Sequence, residues 1–488
     1  IAFGAWLGGR AADHTDPRRL LGPLLVVGGL TAMASPLIVH LVGPTASAGP
    51  LSIVIVAILG FFVPAALLSA VPPVVVKIRL RSLDETGTVV GSYSAIGTTG
   101  AIFGTFLTGF FLIAAFPTRP IILGLGGLLT LGGWALWSTR TRWQGLGILL
   151  ALATLGAVLT LVAGPCQYET TYHCAVIEVD PTRPTGRTLI LDRLSNSYID
   201  LADPTHLEFR YIKLMADILE TRFPSGPVDT VSIGGGGFTL PGYINATRPG
   251  GLNLVLEIDA ALRGIAAAHL ALKDDIEVII DDARISMRSV ADDSASVVVG
   301  DAFSGASVPW HLTTVEFAQE IRRVLRPDGI YAMNVIDLGA LSFARSATAA
   351  LGAVFVHVAV FAPPAYFDGT QGGNFVLVAS ETSIDVAGIE TVIRGRGGAE
   401  EGLAGDDLTV WIGNGIVLRD DYAPVDQILG RFRSTGPLLA PLEGSRRAYA
   451  HSDPGDWSLW RTPLHTGRFT WWALTDSNRR PMPCKGAR

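Results

Sequence analysis

The sequence predicts a two-part protein: an N-terminal all-α bundle of transmembrane helices, then a doubly wound α/β domain preceded by a small antiparallel β unit. Three observations lead to this fold class. Apolar residues make up 49% of the 488 residues and charged residues only 16%, against about a quarter charged in soluble proteins. Long apolar runs fill the first third of the chain. Beyond them, strand-like and helix-like segments alternate.

Five apolar runs approach the roughly 20 residues that a helix needs to cross a ~30 Å hydrocarbon core. They cover residues 20–42, 51–76, 91–116, 120–138 and 145–163. None has a charged residue at its centre, so no proton relay or ion site is indicated. Buried helices of a soluble protein are the alternative, but five such runs in succession favour a multi-pass membrane protein whose partner is the lipid bilayer.

The charge of the connecting segments alternates along the bundle. Residues 10–19, 77–85 and 140–142 are basic, whereas residues 43–50 and 117–118 are nearly uncharged. The positive-inside rule therefore predicts that the basic segments are cytoplasmic. Counted onward, the run 145–163 would carry the following domain outside. Cys166 and Cys174 would suit a disulfide in an oxidising compartment there; two free thiols are the alternative.

The start of the chain resembles one loop of a known transporter family. The segment 4–22 is similar to the loop between the second and third helices of major facilitator transporters, through Gly4, Gly8, Asp13, Arg18 and Arg19. A plain basic loop is the alternative, and too few helices follow for a complete transporter of that type. Residues 1–9 are apolar, and we interpret them as the end of a helix whose beginning is missing.

The remainder of the chain differs in charge and pattern. Residues 1–164 carry nine Lys or Arg and four Asp or Glu, whereas the whole chain has a net charge of −6, so the later part is acidic. An acidic domain argues against a nucleic-acid partner, which needs a basic face. Short strand-like runs at 172–179, 187–191 and 197–200 predict the small antiparallel β unit.

Strands and helices then alternate. We predict strands at 229–233, 252–256, 276–280, 295–300 and 329–335, and helices at 206–221, after the first strand, at 260–270 and at 313–325. This order favours a parallel sheet, in which ligands bind outside the carboxyl ends of the strands.

A glycine run and an acid predict a nucleoside site at that edge. Residues 234–237 follow a strand and open a helix, where glycines allow close approach of a ligand and the helix start offers free N–H groups. Glu257 ends the next strand about 20 residues later, where an acid can accept hydrogen bonds from both ribose hydroxyls. The predicted ligand-binding residues are Gly234, Gly235, Gly236, Gly237 and Glu257. A tight turn and a solvated acid are the alternatives.

Two further strands end in acids. Asp282, followed by Ala283, could accept a hydrogen bond from an adenine amino group, and Asp281 could share that role. Asp301 would lie over the reacting end of the ligand, where a carboxylate can orient and deprotonate an amine nucleophile. A polar loop and a turn or cap residue are the alternatives.

Together these residues resemble the polyamine aminopropyltransferases, the spermidine synthase family, over about residues 172–429. The motifs that carry the resemblance are Ile233-Gly-Gly-Gly-Gly237, Leu256-Glu-Ile-Asp259, Asp282-Ala-Arg284, Gly300-Asp-Ala-Phe303, Pro309-Trp-His-Leu-Thr-Thr-Val-Glu-Phe317, Leu325-Arg-Pro-Asp-Gly329 and Asp420-Asp-Tyr-Ala-Pro-Val425. The apolar helices ahead of them look like the membrane-fused members of bacteria. The resemblance implies a Rossmann-like, class I methyltransferase-like fold in a multi-pass protein of a bacterial plasma membrane.

The resemblance also implies a reaction. Decarboxylated S-adenosylmethionine, or S-adenosylmethionine itself, would be the co-substrate, a polyamine or another amine the acceptor, and no metal would be needed. Glu257 would hold the ribose, Asp282 and Ala283 the adenine, and residues 234–237 the sulfonium region. Asp301 would be catalytic. A homodimer is an open alternative to a single chain.

Several positions depart from the family pattern. Gly237 stands where the family usually has Asp, Ser304 stands at a second Asp position, and Ile212 and Lys213 follow Tyr211 in place of a His-Glu pair. The Gln near the start of the domain is missing as well. These losses affect the amine half of the site. They keep two alternatives open: a methyltransferase that uses intact S-adenosylmethionine, and a non-catalytic sensor of a nucleoside or polyamine.

We expect four regions in all. They are a transmembrane helical domain (1–164, lacking its N-terminal part), the β unit (165–205), a nucleoside-binding domain (206–430) and a disordered polar tail (431–488). Residues 471–488 resemble translation through a neighbouring tRNA gene, in which case Cys484 has no role.

Overall fold

The computed structural model describes residues 1–42, 50–80, 82–138, 166–192, 194–303, 305 and 307–429. The predicted span 145–163 and the polar tail 431–488 lie outside these residues. Ser304 and Cys484 lie outside them too.

The N-terminal part is helical. Its α-helices are Ala2–His14, Pro17–Val42, Pro50–Ala57, Val63–Ser69, Val71–Arg79, Thr86–Leu107, Ile113–Ala115 and Thr118–Ser138, with π-helical turns at Ile58–Phe62 and Thr108–Leu112 and a 3-10 turn at Leu83–Glu85. Four segments are long and apolar enough to cross a membrane, namely Pro17–Val39, Leu51–Arg79, Leu83–Leu112 and Thr118–Trp137. They coincide with the first four predicted runs.

The basic segment 10–19, predicted as a loop, is mostly helical. The first helix continues to His14, and the next begins at Pro17, so only Thr15 and Asp16 separate them. Proline at the first helical position has no N–H to leave unpaired, which suits a new helix start there. The likeness to a facilitator loop stays a prediction.

Glycines bring two of the long helices into close contact. A Cβ on Gly22 would lie 3.0 Å from the carbonyl oxygen of Gly133, and a Cβ on Gly29 would lie 2.5 Å from that of Gly126. Thr130 lies in the same seam and is fully buried. Small residues allow close packing of helix backbones, which is how helices associate in lipid.

The β unit is a four-stranded antiparallel sheet in sequential order. Its strands are β1 (Tyr168–Glu169), β2 (Cys174–Val179), β3 (Gly186–Leu191) and β4 (Leu194–Asp200). The predicted antiparallel unit is confirmed, with β1 as an additional strand. Cys166 and Cys174 form a disulfide with a Cα–Cα distance of 5.1 Å, so the free-thiol alternative is wrong for this structure.

The second sheet has eight strands in the order β12-β10-β11-β9-β8-β5-β6-β7. They are β5 (Thr230–Ile233), β6 (Asn253–Glu257), β7 (Glu277–Ile280), β8 (Ala295–Gly300), β9 (Leu325–Asp337), β10 (His357–Ala362), β11 (Gly373–Ser380) and β12 (Glu401–Ala404). Strands β5 to β9 pair with one another in parallel, as predicted. Strands β10 to β12 pair antiparallel, so the expectation of a purely parallel sheet is wrong.

Helices cover both faces of this sheet. They are Arg210–Arg222, Thr239–Thr247, Ala260–His269, Ala283–Met287, Val315–Val324, Ser342–Gly352, Pro364–Phe367, Val386–Gly395, Gly405–Ile412 and Val425–Ile428. Alternate residues of β8 enter two separate cores, with Val298 in one and Val297 and Val299 in the other. The chain order reverses between β5 and β8, and ligands bind at such a reversal in open α/β sheets.

Candidate active site

The glycine loop lies at this reversal point. β5 ends at Ile233, and residues 234–237 lead towards the helix Thr239–Thr247. Gly234 has φ +89° and Gly236 has φ +51°, which are conformations that favour glycine. A Cβ on Gly234 would lie 2.7 Å from the carbonyl oxygen of Asp301. Glycine is therefore required for the ends of β5 and β8 to meet.

Glu257 ties the glycine loop to the end of β6. Its Oε2 accepts hydrogen bonds from the N–H groups of Gly235 at 2.8 Å and Gly236 at 3.3 Å, and its Oε1 accepts from the N–H of Asp259 at 2.8 Å. The residue is only 5% exposed. An ionised carboxylate has about four acceptor positions, so one position, on Oε1, remains for a ribose hydroxyl. The prediction that the loop offers free N–H groups is wrong for Gly235 and Gly236.

Strand β4 closes the other side of the loop at Gly237. The N–H of Gly237 donates to Ser197 Oγ at 2.9 Å. A Cβ on Gly237 would lie 2.6 Å from both Ser197 Cβ and Ile199 Cδ1. The β unit thus fills the space into which a larger side chain at this position would extend.

Asp301 follows β8 and is held from two sides. Its Oδ1 accepts a hydrogen bond from Asn334 Nδ2 at 2.9 Å, and its Oδ2 accepts one from the Tyr211 hydroxyl at 3.1 Å. Asn374 Nδ2 donates to Asn334 Oδ1 at 3.0 Å and so orients that amide. Burial raises the pKa of Asp301 to about 6, although both hydrogen bonds oppose the rise. The carboxyl group can therefore exchange a proton near neutral pH.

Tyr211 keeps its proton in this arrangement. Burial, followed by the negative charge of Asp301, raises the pKa of the Tyr211 hydroxyl well above its ordinary value. The hydroxyl is therefore a permanent donor to the carboxylate. Tyr211 lies in the first turn of the helix Arg210–Arg222, outside the parallel strands that carry the predicted acids.

Asp282 caps the helix Ala283–Met287. Its Oδ1 accepts from the N–H groups of Arg284 at 2.8 Å and Ile285 at 3.2 Å, and its Oδ2 lies 3.0 Å from His311 Nε2. Ala283 is buried in the hydrophobic core. The cap thus occupies one carboxylate oxygen of Asp282, the acid predicted to bind adenine. The side chain of Ala283 packs away from the solvent.

Three motifs that are distant in sequence meet behind Asp282. The Arg284 guanidinium donates to both carboxylate oxygens of Asp420, at 2.8 and 2.5 Å. It also donates to the carbonyl oxygen of His311 at 2.8 Å, and Thr314 Oγ1 donates to Asp420 Oδ1 at 2.8 Å. The hydrogen bond from Arg284 lowers the pKa of Asp420. This network fixes the position of His311 beside Asp282.

The structure brings the predicted acids to one edge and adds residues that the sequence did not reveal. Tyr211, Asn334 and Ser197 contact Asp301 or the glycine loop, although none was predicted as a site residue. Asn334 had one recognisable signal, since it is a buried amide within the apolar strand β9. Within the described ranges, no group of three or more His, Cys, Asp or Glu is arranged to hold a metal ion.

Comparison with known proteins identifies two curated relatives, while no family model matches the chain. The polyamine aminopropyltransferase of Chromobacterium violaceum is 25% identical over 140 residues, which is 28% of this chain and 53% of that protein. The polyamine aminopropyltransferase of Vibrio vulnificus is 26% identical over 181 residues, or 36% and 57%. This chain therefore spans about half the length of the curated relatives it matches.

One solved structure is also similar to this chain. A probable spermidine synthase from Corynebacterium glutamicum superposes with a TM-score of 0.49 and 28% sequence identity, over 53% of this chain and 97% of that chain. The predicted resemblance is confirmed at the level of the two curated relatives. Over part of its length, and at modest identity, the chain is homologous to polyamine aminopropyltransferases.

Proposed function

We propose that the chain is an integral membrane transferase that moves the aminopropyl group of decarboxylated S-adenosylmethionine to a polyamine or another amine. One observation carries the proposal: the partly buried carboxyl of Asp301, with a pKa of about 6, lies between Tyr211 and Asn334 beside the glycine loop. The homology to curated aminopropyltransferases supports the same reaction class.

In this reaction the acceptor nitrogen attacks the carbon next to the positively charged sulfur. A C–N bond forms, the C–S bond breaks, and methylthioadenosine leaves with the electron pair of that bond. The nitrogen releases a proton, which Asp301 accepts. A base with a pKa near 6 suits proton transfer at neutral pH, and the hydrogen bonds from Tyr211 and Asn334 hold its two oxygens in place.

The nucleoside would lie across the ends of β5, β6 and β7. We propose that Glu257 receives the ribose, that Asp282 and the main chain of Ala283 receive the adenine, and that the loop 234–237 borders the sulfonium. Support comes from the arrangement of the strand ends, because β5 pairs with β6 and β6 with β7 in parallel. Their carboxyl ends therefore meet at one edge.

Methyl transfer from intact S-adenosylmethionine is a second candidate, and Gly237 favours it. In the family that the sequence resembles, an Asp at this position binds the amino group of the aminopropyl chain. Here Ser197 and Ile199 fill that space. Because Gly237 has no charged side chain, this position would not repel the carboxylate of intact S-adenosylmethionine.

We further propose that the apolar helices anchor the enzyme in a bacterial plasma membrane. Support comes from four segments with the length and hydropathy of membrane spans and from the glycine-packed pair at Gly29 and Gly126. The Cys166–Cys174 disulfide supports a non-cytoplasmic position for the α/β domain, since disulfides persist in oxidising compartments. The boundaries 1–164, 165–205 and 206–430 remain our proposed division.

Calorimetric titration of the detergent-solubilised full chain tests the function. The ligands are decarboxylated S-adenosylmethionine, S-adenosylmethionine and methylthioadenosine, each with and without putrescine. Tighter binding of the decarboxylated donor, with turnover when the amine is added, is the expected result. Preference for intact S-adenosylmethionine would refute aminopropyl transfer in favour of methyl transfer. Absence of binding by all three would refute both enzymes and leave a sensor.

A further inference from the structure

The disulfide-closed turn of the β unit contacts one of the long apolar helices. Cys166 and Cys174 close this turn, and within it Glu169 of β1 pairs with Cys174 of β2. Glu169 Oε1 accepts a hydrogen bond from the main-chain N–H of Arg119 at 3.3 Å. Arg119 is the second residue of the helix Thr118–Ser138, which is long and apolar enough to cross a membrane. The turn therefore touches one end of a proposed membrane span.

This contact supplies what the start of that helix lacks. The first N–H groups of a helix have no partner within it, and the helix dipole favours a negative charge there. The first turn of Thr118–Ser138 contains no acid of its own, and it carries the positive charge of Arg119. Glu169, 50 residues further along the chain, provides the carboxylate. The helix is thus capped by a separate part of the chain.

The neighbouring residue Tyr168 attaches the same strand to the α/β domain. Its hydroxyl lies 2.7 Å from His269 Nε2, at the C-terminal end of the helix Ala260–His269. Its ring centroid lies 5.4 Å from that of His269, and Tyr168 packs against the core that includes Leu262 and Ile265 of the same helix. Successive side chains of a strand point to opposite faces. Tyr168 and Glu169 can therefore hold two different parts of the chain at once.

The helix end that Glu169 caps also has a predicted side of the membrane. Residues 117–118 belong to the nearly uncharged connections, which the positive-inside rule places outside the cytoplasm. The disulfide that closes the turn is of the kind that persists in oxidising compartments. The charge pattern of the helices and the covalent bond in the turn are independent observations, and both favour the non-cytoplasmic side.

We propose that the turn 166–174 docks the α/β domain on the non-cytoplasmic end of the helix Thr118–Ser138, with Glu169 as the cap and the Cys166–Cys174 disulfide holding Glu169 in place. This inference goes beyond the proposed reaction and requires only that the apolar helices span a membrane. It identifies the surface of the domain that faces the bilayer as the one that carries β1 and His269.

Hydrogen exchange of the Arg119 amide, measured by mass spectrometry on the full chain in detergent, tests the docking contact. Glu169→Ala should accelerate this exchange about tenfold, as expected for loss of a hydrogen bond to a charged group. Cys166→Ser should accelerate it as well, but should add nothing in the Glu169→Ala background. Glu178→Ala, which removes an acid from the adjacent strand β2, is the matched control and should leave the exchange unchanged.

Unchanged exchange in Glu169→Ala, or equal acceleration by both alanine variants, would overturn the docking contact. A further acceleration by Cys166→Ser in the Glu169→Ala background would overturn the role given to the disulfide.

Thiol labelling of intact spheroplasts tests the side of the membrane. Two exposed positions are suitable, Val410 in the α/β domain and Leu83 in the basic segment 77–85, which is predicted to be cytoplasmic. In a Cys484→Ser background, both remaining native cysteines are in the disulfide. A membrane-impermeant maleimide should then label Val410→Cys in intact spheroplasts and Leu83→Cys only after permeabilisation. Labelling of Val410→Cys only after permeabilisation, or labelling of both in intact spheroplasts, would overturn the inference. Neither measurement uses a nucleoside, so failure of the proposed reaction would leave this inference standing.

Discussion

Replacing Asp301 with asparagine separates the chemistry of this carboxylate from its packing. The amide has nearly the same shape. Its oxygen can accept from Asn334 Nδ2, as Oδ1 does at 2.9 Å, and its NH2 can donate to the Tyr211 oxygen, which lies 3.1 Å from Oδ2. A tyrosine hydroxyl can accept as well as donate. Asp301→Asn should therefore keep both contacts while it removes the charge and the base.

The expected gain in stability follows from the raised pKa. The pKa of Asp301 is about 6 in the folded protein against an ordinary value of 3.8. The folded state thus binds the proton more tightly, and stability present below about pH 4 is lost as the pH rises through about 6. This difference corresponds to about 3 kcal/mol at neutral pH. At roughly 2–4 °C per kcal/mol, the variant should unfold about 6–12 °C higher at about pH 8.

Thermal unfolding of the full chain in detergent, measured across this pH range, checks the prediction alongside turnover. The two unfolding temperatures should converge as the pH falls below about 4, where Asp301 becomes protonated in the unfolded state as well. Turnover should fall by roughly 10²–10⁴-fold, with methylthioadenosine affinity retained. Asp420→Asn is the control: its unfolding temperature should fall instead of rise, because the pKa of Asp420 is lowered and its ionised form stabilises the folded state. Unchanged turnover, or a melting difference independent of pH, would refute the reasoning.

Two glycine pairs give further predictions, each read by thermal unfolding in detergent. Gly237→Ala should destabilise the domain by about 1–3 kcal/mol, because its Cβ meets β4. Gly242→Ala is the control: its Cβ has open space, and the variant should gain roughly 0.5–1 kcal/mol of stability in its helix. Equal effects of the two substitutions would contradict the packing of the loop. Gly126→Leu should destabilise the helical bundle, since a Cβ there lies 2.9 Å from the Gly29 carbonyl oxygen. Gly127→Leu is the control and should not, since a Cβ on Gly127 meets nothing within 4 Å. Loss of stability in both leucine variants would contradict the seam.

The parallel half of the sheet could be predicted because its pattern is local. β8 runs from Ala295 to Gly300 as predicted, and β6 ends at Glu257. Strands buried on both faces appear as short apolar runs between turn residues. The antiparallel half was missed. β10 and β11 are equally apolar, but the pairing of β11 with β9 and of β10 with β11 depends on contacts between separate segments, which periodicity does not reveal.

The same difference between local pattern and long-range contact explains which site residues could be predicted. Glu257 ends a strand, and Asp282 and Asp301 each follow one, so sequence alone placed them at one edge of the sheet. Tyr211 comes from a helix ahead of the sheet and Asn334 from β9, and only the folded chain brings them to Asp301. The free N–H groups predicted for the loop were wrong because a carboxylate of the chain itself already accepts from them.

Two parts of the chain contribute separately to the proposed site. The strand ends supply the acids that would hold the nucleoside, and their convergence follows from parallel pairing. The β unit supplies Ser197 and Ile199, which fill the space beside Gly237. Changes in the β unit can therefore alter which donor or acceptor fits without disturbing the sheet. The departure from the resembled family at Gly237 is such a change, because the residues that exclude a larger side chain there belong to β4 and not to the eight-stranded sheet.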